Sequence, residues 1–193
     1  MSSLTSGQVF TGAKWNYQIV NALTGDGTHS STVFKAKVLQ KDGVLDAPQW
    51  FATLHQAGES LKRECEIYRL PSIASGACSR KMYDVIANPM NIGNSDDGSI
   101  PYVAFEWLET TLQDVKYQPS MHIYAIIRTV AKTALTSCAI LADRQLVNTG
   151  RTPDLKKGWH SLISLDYKPA NFLLSGIETD DITAKVGDLG HNE

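Results

Sequence analysis

The sequence has few cysteines and no pattern in those it has. Cys65, Cys78 and Cys138 are far apart, with no C-x-x-C pair. That argues against both a zinc knuckle and a disulfide framework, and it points to a reducing compartment, so the expected location is intracellular, in cytoplasm or nucleus. A basic stripe is missing too. The 18 Lys+Arg are matched by 20 Asp+Glu for a net charge of −2, and no nucleic-acid partner is expected. The opening MSSLTSGQVF has no basic head followed by an apolar core, and the longest apolar stretch is interrupted by Arg128 and Lys132. Neither export nor a membrane partner is expected from these features. Internal repeats and low-complexity tracts are absent as well. What is present is 42% hydrophobic residues over 193 positions, enough to bury one substantial core or two modest ones.

The first half reads as strands and turns. WNYQIVNAL at 15–23 and STVFKAKVLQ at 31–40 are rich in β-branched and aromatic residues and predict a hairpin closed by TGDGTHS. APQWFATLHQ at 47–56 predicts a third strand, entered after Pro48. ESLKRECEIYRL at 59–70 places Leu61, Cys65, Tyr68 and Leu70 near helical spacing. RKMYDVIA (80–87) and SIPYVAFEWL (99–108) predict two more strands, separated by the loop NPMNIGNSDDGS. From 119 a helix is predicted, with Ile123, Ile126, Ile127, Val130, Ala134, Leu135, Cys138 and Leu141 recurring three or four apart. QLVNTGRTPDLKKGWH then breaks the pattern as a loop.

The last polar stretch is SLDYKPANFLL, followed by KVGDLG. It sets an acid at Asp166, a base at Lys168, an amide at Asn171 and a second acid at Asp188 around short apolar runs, SLIS before and NFLL after, that read as strands. Such a loop is a platform for chemistry. The same residues also suit a plain turn around Pro169 with a solvated lysine. Taken in this order, the chain from about Trp15 to Gly190 resembles the eukaryotic protein kinase family. The family's catalytic loop, H-R-D-L-K-P-x-N, is matched at Asp166, Lys168, Pro169 and Asn171, and its D-F-G element by DLG at Asp188 to Gly190. VAFEWLETTLQD looks like the family's hinge, with Phe105 beside the adenine pocket. GDGTHSSTVFKA is similar to G-x-G-x-x-G-x-V, with Ser30 or Ser31 in place of the third glycine and one extra residue before Val33. Taken alone, two glycines two apart are a tight hairpin turn. Glu64 in LKRECEIY stands where the family has the helix glutamate that pairs with a strand lysine; on its own it would read as an exposed acid on a charged helix face.

The resemblance implies an α+β, protein-kinase-like fold. It would comprise an N-terminal tail (1–14), a β-rich N-terminal lobe with one helix running through the hinge (15–108), and the beginning of a helical C-terminal lobe (109–193). It implies ATP and Mg²⁺ as cofactors, a protein substrate or protein partner, and transfer of the γ-phosphate to Ser/Thr hydroxyls. By the same resemblance Asp166 accepts the hydroxyl proton, Lys168 steadies the transferring phosphate, and Asn171 with Asp188 holds magnesium. Gly25, Gly27 and Val33 cover the nucleotide, and Glu64, Glu106 and Leu108 belong to its binding site. The chemistry suits these residue types, because phosphoryl transfer asks mainly for positioning and charge neutralisation, and magnesium takes hard oxygen ligands.

Three departures stand against the family pattern. The third strand reads QWFATLHQ and offers no lysine; His55 is the nearest polar residue, and Lys35, Lys37 and Lys41 are the neighbouring candidates. Loss of one preorganised charge of this kind costs roughly 10²–10³ in rate. Ser164-Leu165 replaces the family's His-Arg, which removes an anchor for a phosphorylated activation segment. After DLG the sequence reads HNE, whereas the family continues into an A-P-E element and further helices, so the stripe at 120–142 is expected to lack a lid. The alternative function is therefore a catalytically impaired pseudokinase or fragment acting as a nucleotide- or protein-binding module. An unrelated α+β domain is the third reading.

Overall fold

The structure, a computed structural model, describes residues 6–23, 33–41, 50–56, 59–86, 102–116, 118–119, 122–142 and 166–189. It is a mixed α+β protein rich in antiparallel strands. The chain divides into two units, Met1–Lys62 with Lys81–Trp107, and Arg63–Arg80 with Leu108–Glu193.

The first unit is built on a six-stranded sheet in the order β1-β2-β3-β4-β6-β5. β1 is Val9–Thr11, β2 Asn16–Leu23, β3 Val33–Leu39, β4 Phe51–Gln56, β5 Met82–Ile86 and β6 Tyr102–Glu106. Alternation sets which side chains face the core. Tyr17 and Ile19 of β2, Phe34, Ala36 and Val38 of β3, Ala52 and Leu54 of β4, and Tyr102 and Ala104 of β6 share one buried cluster with Phe10 and Trp15. A register shift between Ile19 and Asn21 leaves Val20 on the surface, as a β-bulge does. Residues 9–11, assigned to a tail from sequence, pair with β2. A strand of three residues is too short to show a period.

A single acid organises the N-terminal turn of this unit. Asp84 is 6% exposed among these apolar side chains. Its carboxylate accepts the backbone N–H groups of Ala13 (3.2 Å) and Lys14 (3.0 Å) and the Tyr17 hydroxyl (3.2 Å). Burial and the neighbouring carboxylate push the Tyr17 phenol far above its ordinary value, so it remains a donor. Gly12 lies against this carboxylate and leaves no room for a side chain, since an added Cβ would also meet Trp15 O at 2.8 Å.

Helix α1 (Glu59–Tyr68) runs through the division between the units. The second unit continues with the short α2 (Pro71–Ala74), β7 (Thr110–Thr111), α3 (Ile123–Ala142), a 3₁₀ turn at Pro169–Asn171, β8 (Phe172–Ser175) and β9 (Thr183–Val186). β7, β8 and β9 form a second antiparallel sheet in that order. α3 packs on it through Ile126 against Leu174 and Ala184, and the Thr133 hydroxyl donates to Ala184 O at 3.1 Å. By length and composition alone α3 is long and apolar enough to cross a bilayer despite Arg128 and Lys132, a test that core helices of soluble proteins also pass. Its other face shows Tyr124, Ile127 and Leu135 to solvent. α2, β7 and the 3₁₀ turn, each four residues or fewer, are below the length at which sequence patterns speak.

Candidate functional site

The second unit gathers Asp166, Lys168, Asn171 and Asp188, and it does so through backbone first. Pro169 opens the 3₁₀ turn with its φ already fixed, and Asn171 N–H donates to Lys168 O at 2.9 Å. The turn folds the three polar side chains back on one another. Lys168 Nζ donates to Asp166 Oδ2 at 2.8 Å, and Asn171 Nδ2 donates both to that oxygen and to Asp166 O, each at 2.9 Å. Two donors on one oxygen fix the plane of the carboxylate. The hydrogen bond to Asp166 lifts the Lys168 pKa above the ordinary lysine value, so the ammonium is charged at neutral pH. Asn171 is buried and spends both N–H groups on Asp166, leaving Oδ1 as its means of meeting a cation.

The second acid arrives from β9. Phe172 pairs with Val186, and Gly187 N–H donates to Asn171 O at 2.8 Å. Asp188, the next residue, therefore begins beside the asparagine. It adopts φ +51°, the one non-glycine residue with positive φ among those described. Such conformations cost about 1–3 kcal/mol, and they cluster at functional sites where the surroundings hold them. Among the described residues no three His, Cys, Asp or Glu side chains gather into a metal cage. Asn171 and Asp188 would offer one amide and one carboxylate oxygen, residue types that suit an ion keeping most of its shell as water and phosphate oxygens.

Glu64 is held in this same unit. It is 6% exposed, its carboxylate lies 3.9 Å from Arg80 Nη2, and it accepts the backbone N–H of Leu189. Burial pushes its carboxyl up to about 7, against the pull of Arg80. Arg80 was not singled out by the sequence reading, since an arginine opening RKMYDVIA looks like any strand-edge charge.

In the first unit, the register puts Val33 opposite His55 and Lys35 opposite Thr53, and Thr53 opposite Phe105. These residues share the sheet face away from the Phe34 and Ala36 cluster. His55 meets the Phe105 ring edge-on at 5.1 Å. Of the three lysines considered, Lys41 donates to Gly12 O, Lys37 is exposed, and Lys35 stands on this face with Nζ 4.2 Å from the centroids of both Phe51 and Trp107. Glu106 closes β6; its N–H donates to Lys81 O, and its carboxylate accepts the Lys81 N–H. Leu108, which opens the next stretch of the second unit, is buried. Gly25, Gly27, the Ser164-Leu165 pair, the SLIS run and Gly190 lie outside the described residues. No protein-family model matches the chain, and no curated protein matches it.

Proposed function

We propose that the chain is a phosphotransferase of the protein-kinase type, which binds ATP with Mg²⁺ and moves the γ-phosphate to Ser/Thr hydroxyls of a protein. The observation that carries this reading is the bonded set Asp166, Lys168 and Asn171, tied through Gly187 N–H to the backbone that presents Asp188. A plain turn around Pro169 would leave the lysine solvated, whereas here Lys168 and Asn171 both donate to one oxygen of Asp166.

In this reading Asp166 receives the proton of the attacking hydroxyl, its carboxylate plane already set by Lys168 and Asn171. Lys168, half exposed beside it, contributes a charge to the transferring phosphate. Asn171 and Asp188 would hold the magnesium, whose contribution is to neutralise charge on the phosphate oxygens. Glu106 gives its own N–H to Lys81, so a base in the hinge would rely on other backbone groups of 106–108.

The test is transfer of radiolabelled γ-phosphate to a Ser/Thr-rich protein, comparing the chain with Asp166→Asn. Transfer by the wild type that falls about 10³-fold in the variant is expected. Absence of both transfer and any thermal shift at millimolar Mg-ATP would remove the reading. A second reading, a nucleotide-binding module without turnover, is favoured by β4, where Thr53 and His55 hold the face positions and no lysine does. A thermal shift with Mg-ATP but no label transfer would select it.

A further inference from the structure

We propose that Arg80 is a positioning residue: paired with Glu64, it latches the Gly187–Leu189 turn and so holds Asp188 in its left-handed conformation. The inference rests on the reading of Asp188 as a magnesium ligand, and it adds a partner that the kinase pattern does not supply.

Arg80 grips the turn from two sides. Its backbone N–H donates to Val186 O at 3.0 Å, and Val186 N–H donates to Cys78 O at 2.8 Å. Residues 78–80 are thus clasped to the end of β9, two residues before Asp188. Its side chain lies over the same turn, 3.8 Å from where a Cβ on Gly187 would stand. Glu64 holds the turn's far end by accepting the Leu189 N–H. Asp188 is flanked on both sides by bonds to this pair.

The pair is buried, with side chains only 6% and 8% exposed. At 3.9 Å it is an ion pair rather than a hydrogen bond. Glu64 and Tyr68 stand one helical turn apart on α1, and Arg80 reaches both. A buried ion pair is weak evidence for stability, since apolar residues of similar volume often serve as well or better. Its retention here is better explained by what its groups grip, which is the backbone around a residue with a costly φ.

The test uses Arg80→Met, Arg80→Lys and the double variant Glu64→Leu/Arg80→Met, which removes both charges together and so leaves neither buried alone. The first readout is hydrogen exchange, independent of catalysis. The Leu189 amide is expected to exchange at least tenfold faster in Arg80→Met and in the double variant, while Phe172 and Leu174 of β8 keep wild-type protection. The second is the Mg²⁺ concentration for half-maximal ATP binding, expected to rise about tenfold in both variants and to be partly restored in Arg80→Lys. Wild-type exchange at Leu189 in the double variant overturns the latch, as does loss of protection spread equally over β8 and β9. If the wild type binds no Mg-ATP while Leu189 is still released selectively, the phosphotransfer reading fails and the latch stands.

Discussion

Asp84 in the first unit and Asp166 in the second are both carboxylates with hydrogen-bond donors on them, and they sit in different settings. Asp84 is enclosed in the sheet's core and accepts two backbone N–H groups and a phenol from one turn. Its donors are fixed by the fold, and its role is to hold that turn. Asp166 is 24% exposed at its side chain, and the ends of two side chains, one of them half in water, donate to it. Side-chain donors can adjust to a ligand in a way that backbone donors cannot. The donor type and the exposure, more than the number of bonds, separate a carboxylate spent on structure from one open to chemistry.

Substitutions test that division directly, and the largest effect is expected at the open carboxylate. Asp166→Asn should lower phosphate transfer about 10³-fold, equivalent to about 4 kcal/mol of barrier, while the urea midpoint of unfolding stays near that of the wild type. A large fall in stability instead would show that Asp166 is structural, like Asp84. Asp84→Ala should do the reverse in kind. It strands the buried Tyr17 hydroxyl and takes the acceptor from two part-buried backbone N–H groups, and about 2 kcal/mol of stability should be lost in equilibrium denaturation. A loss below about 1 kcal/mol would mean that water or a shifted turn replaces the carboxylate.

Glu64 sharpens the comparison because it is as buried as Asp84 but has no cluster of backbone donors around its carboxylate. Its carboxyl is pushed up to about 7 by burial, with Asp188 adding to the rise and Arg80 and the Leu189 N–H opposing it. The folded chain therefore binds a proton more readily than the unfolded chain, whose glutamate titrates near 4.3. Stability from this group is present below the unfolded value and is lost as pH rises through the window to about 7, with a slope of at most about 1.4 kcal/mol per pH unit. Melting curves between pH 4.5 and 7.5 in metal-free buffer should show this decline in the wild type and not in Glu64→Gln. An unchanged slope in the variant would assign the decline to another group.

The two units also differ in how much the sequence disclosed. The β-branched and aromatic content of NYQIVNAL and VFKAKVL and the break at Pro48 before FATLHQ marked the strands, and β2, β3 and β4 fall inside the predicted stretches. The stripe that begins at Ile123 was legible as a helix from its three-to-four spacing, and α3 covers it, although Ile127, Leu135 and Cys138 of that stripe are exposed. In the candidate site, SLDYKPAN singled out Asp166, Lys168 and Asn171 but not that Lys168 and Asn171 would both donate to one oxygen of Asp166. Side-chain convergence depends on a 3₁₀ turn of three residues, and no periodicity marks so short an element. Arg80 and Asp84 were illegible for a different reason. Each is a charge within a strand-like run, RKMYDVIA, where alternation leads one to expect a charge in solvent, and both are buried by partners distant in sequence: Glu64 for one, Ala13 to Tyr17 for the other.

Lys35 is where the two kinds of charge are hardest to tell apart, and it gives the smallest expected effect. It is the lysine that the register brings beside Thr53, on the face where the kinase pattern asks for a cation. Yet its ammonium is already engaged, 4.2 Å from the ring centroids of Phe51 and Trp107. Cation–π contacts of this kind contribute about 0.5–1 kcal/mol each where partly exposed. Lys35→Met keeps the aliphatic stem over the rings and removes the charge. It should cost about 1 kcal/mol of stability and change phosphate transfer by less than threefold, which would place Lys35 with Asp84 among the charges spent on structure. A fall of 10² or more in transfer at unchanged stability would move it to the side of Asp166, because that is the size expected when a preorganised cation leaves the phosphates. Urea denaturation and label transfer on the same preparation decide between the two.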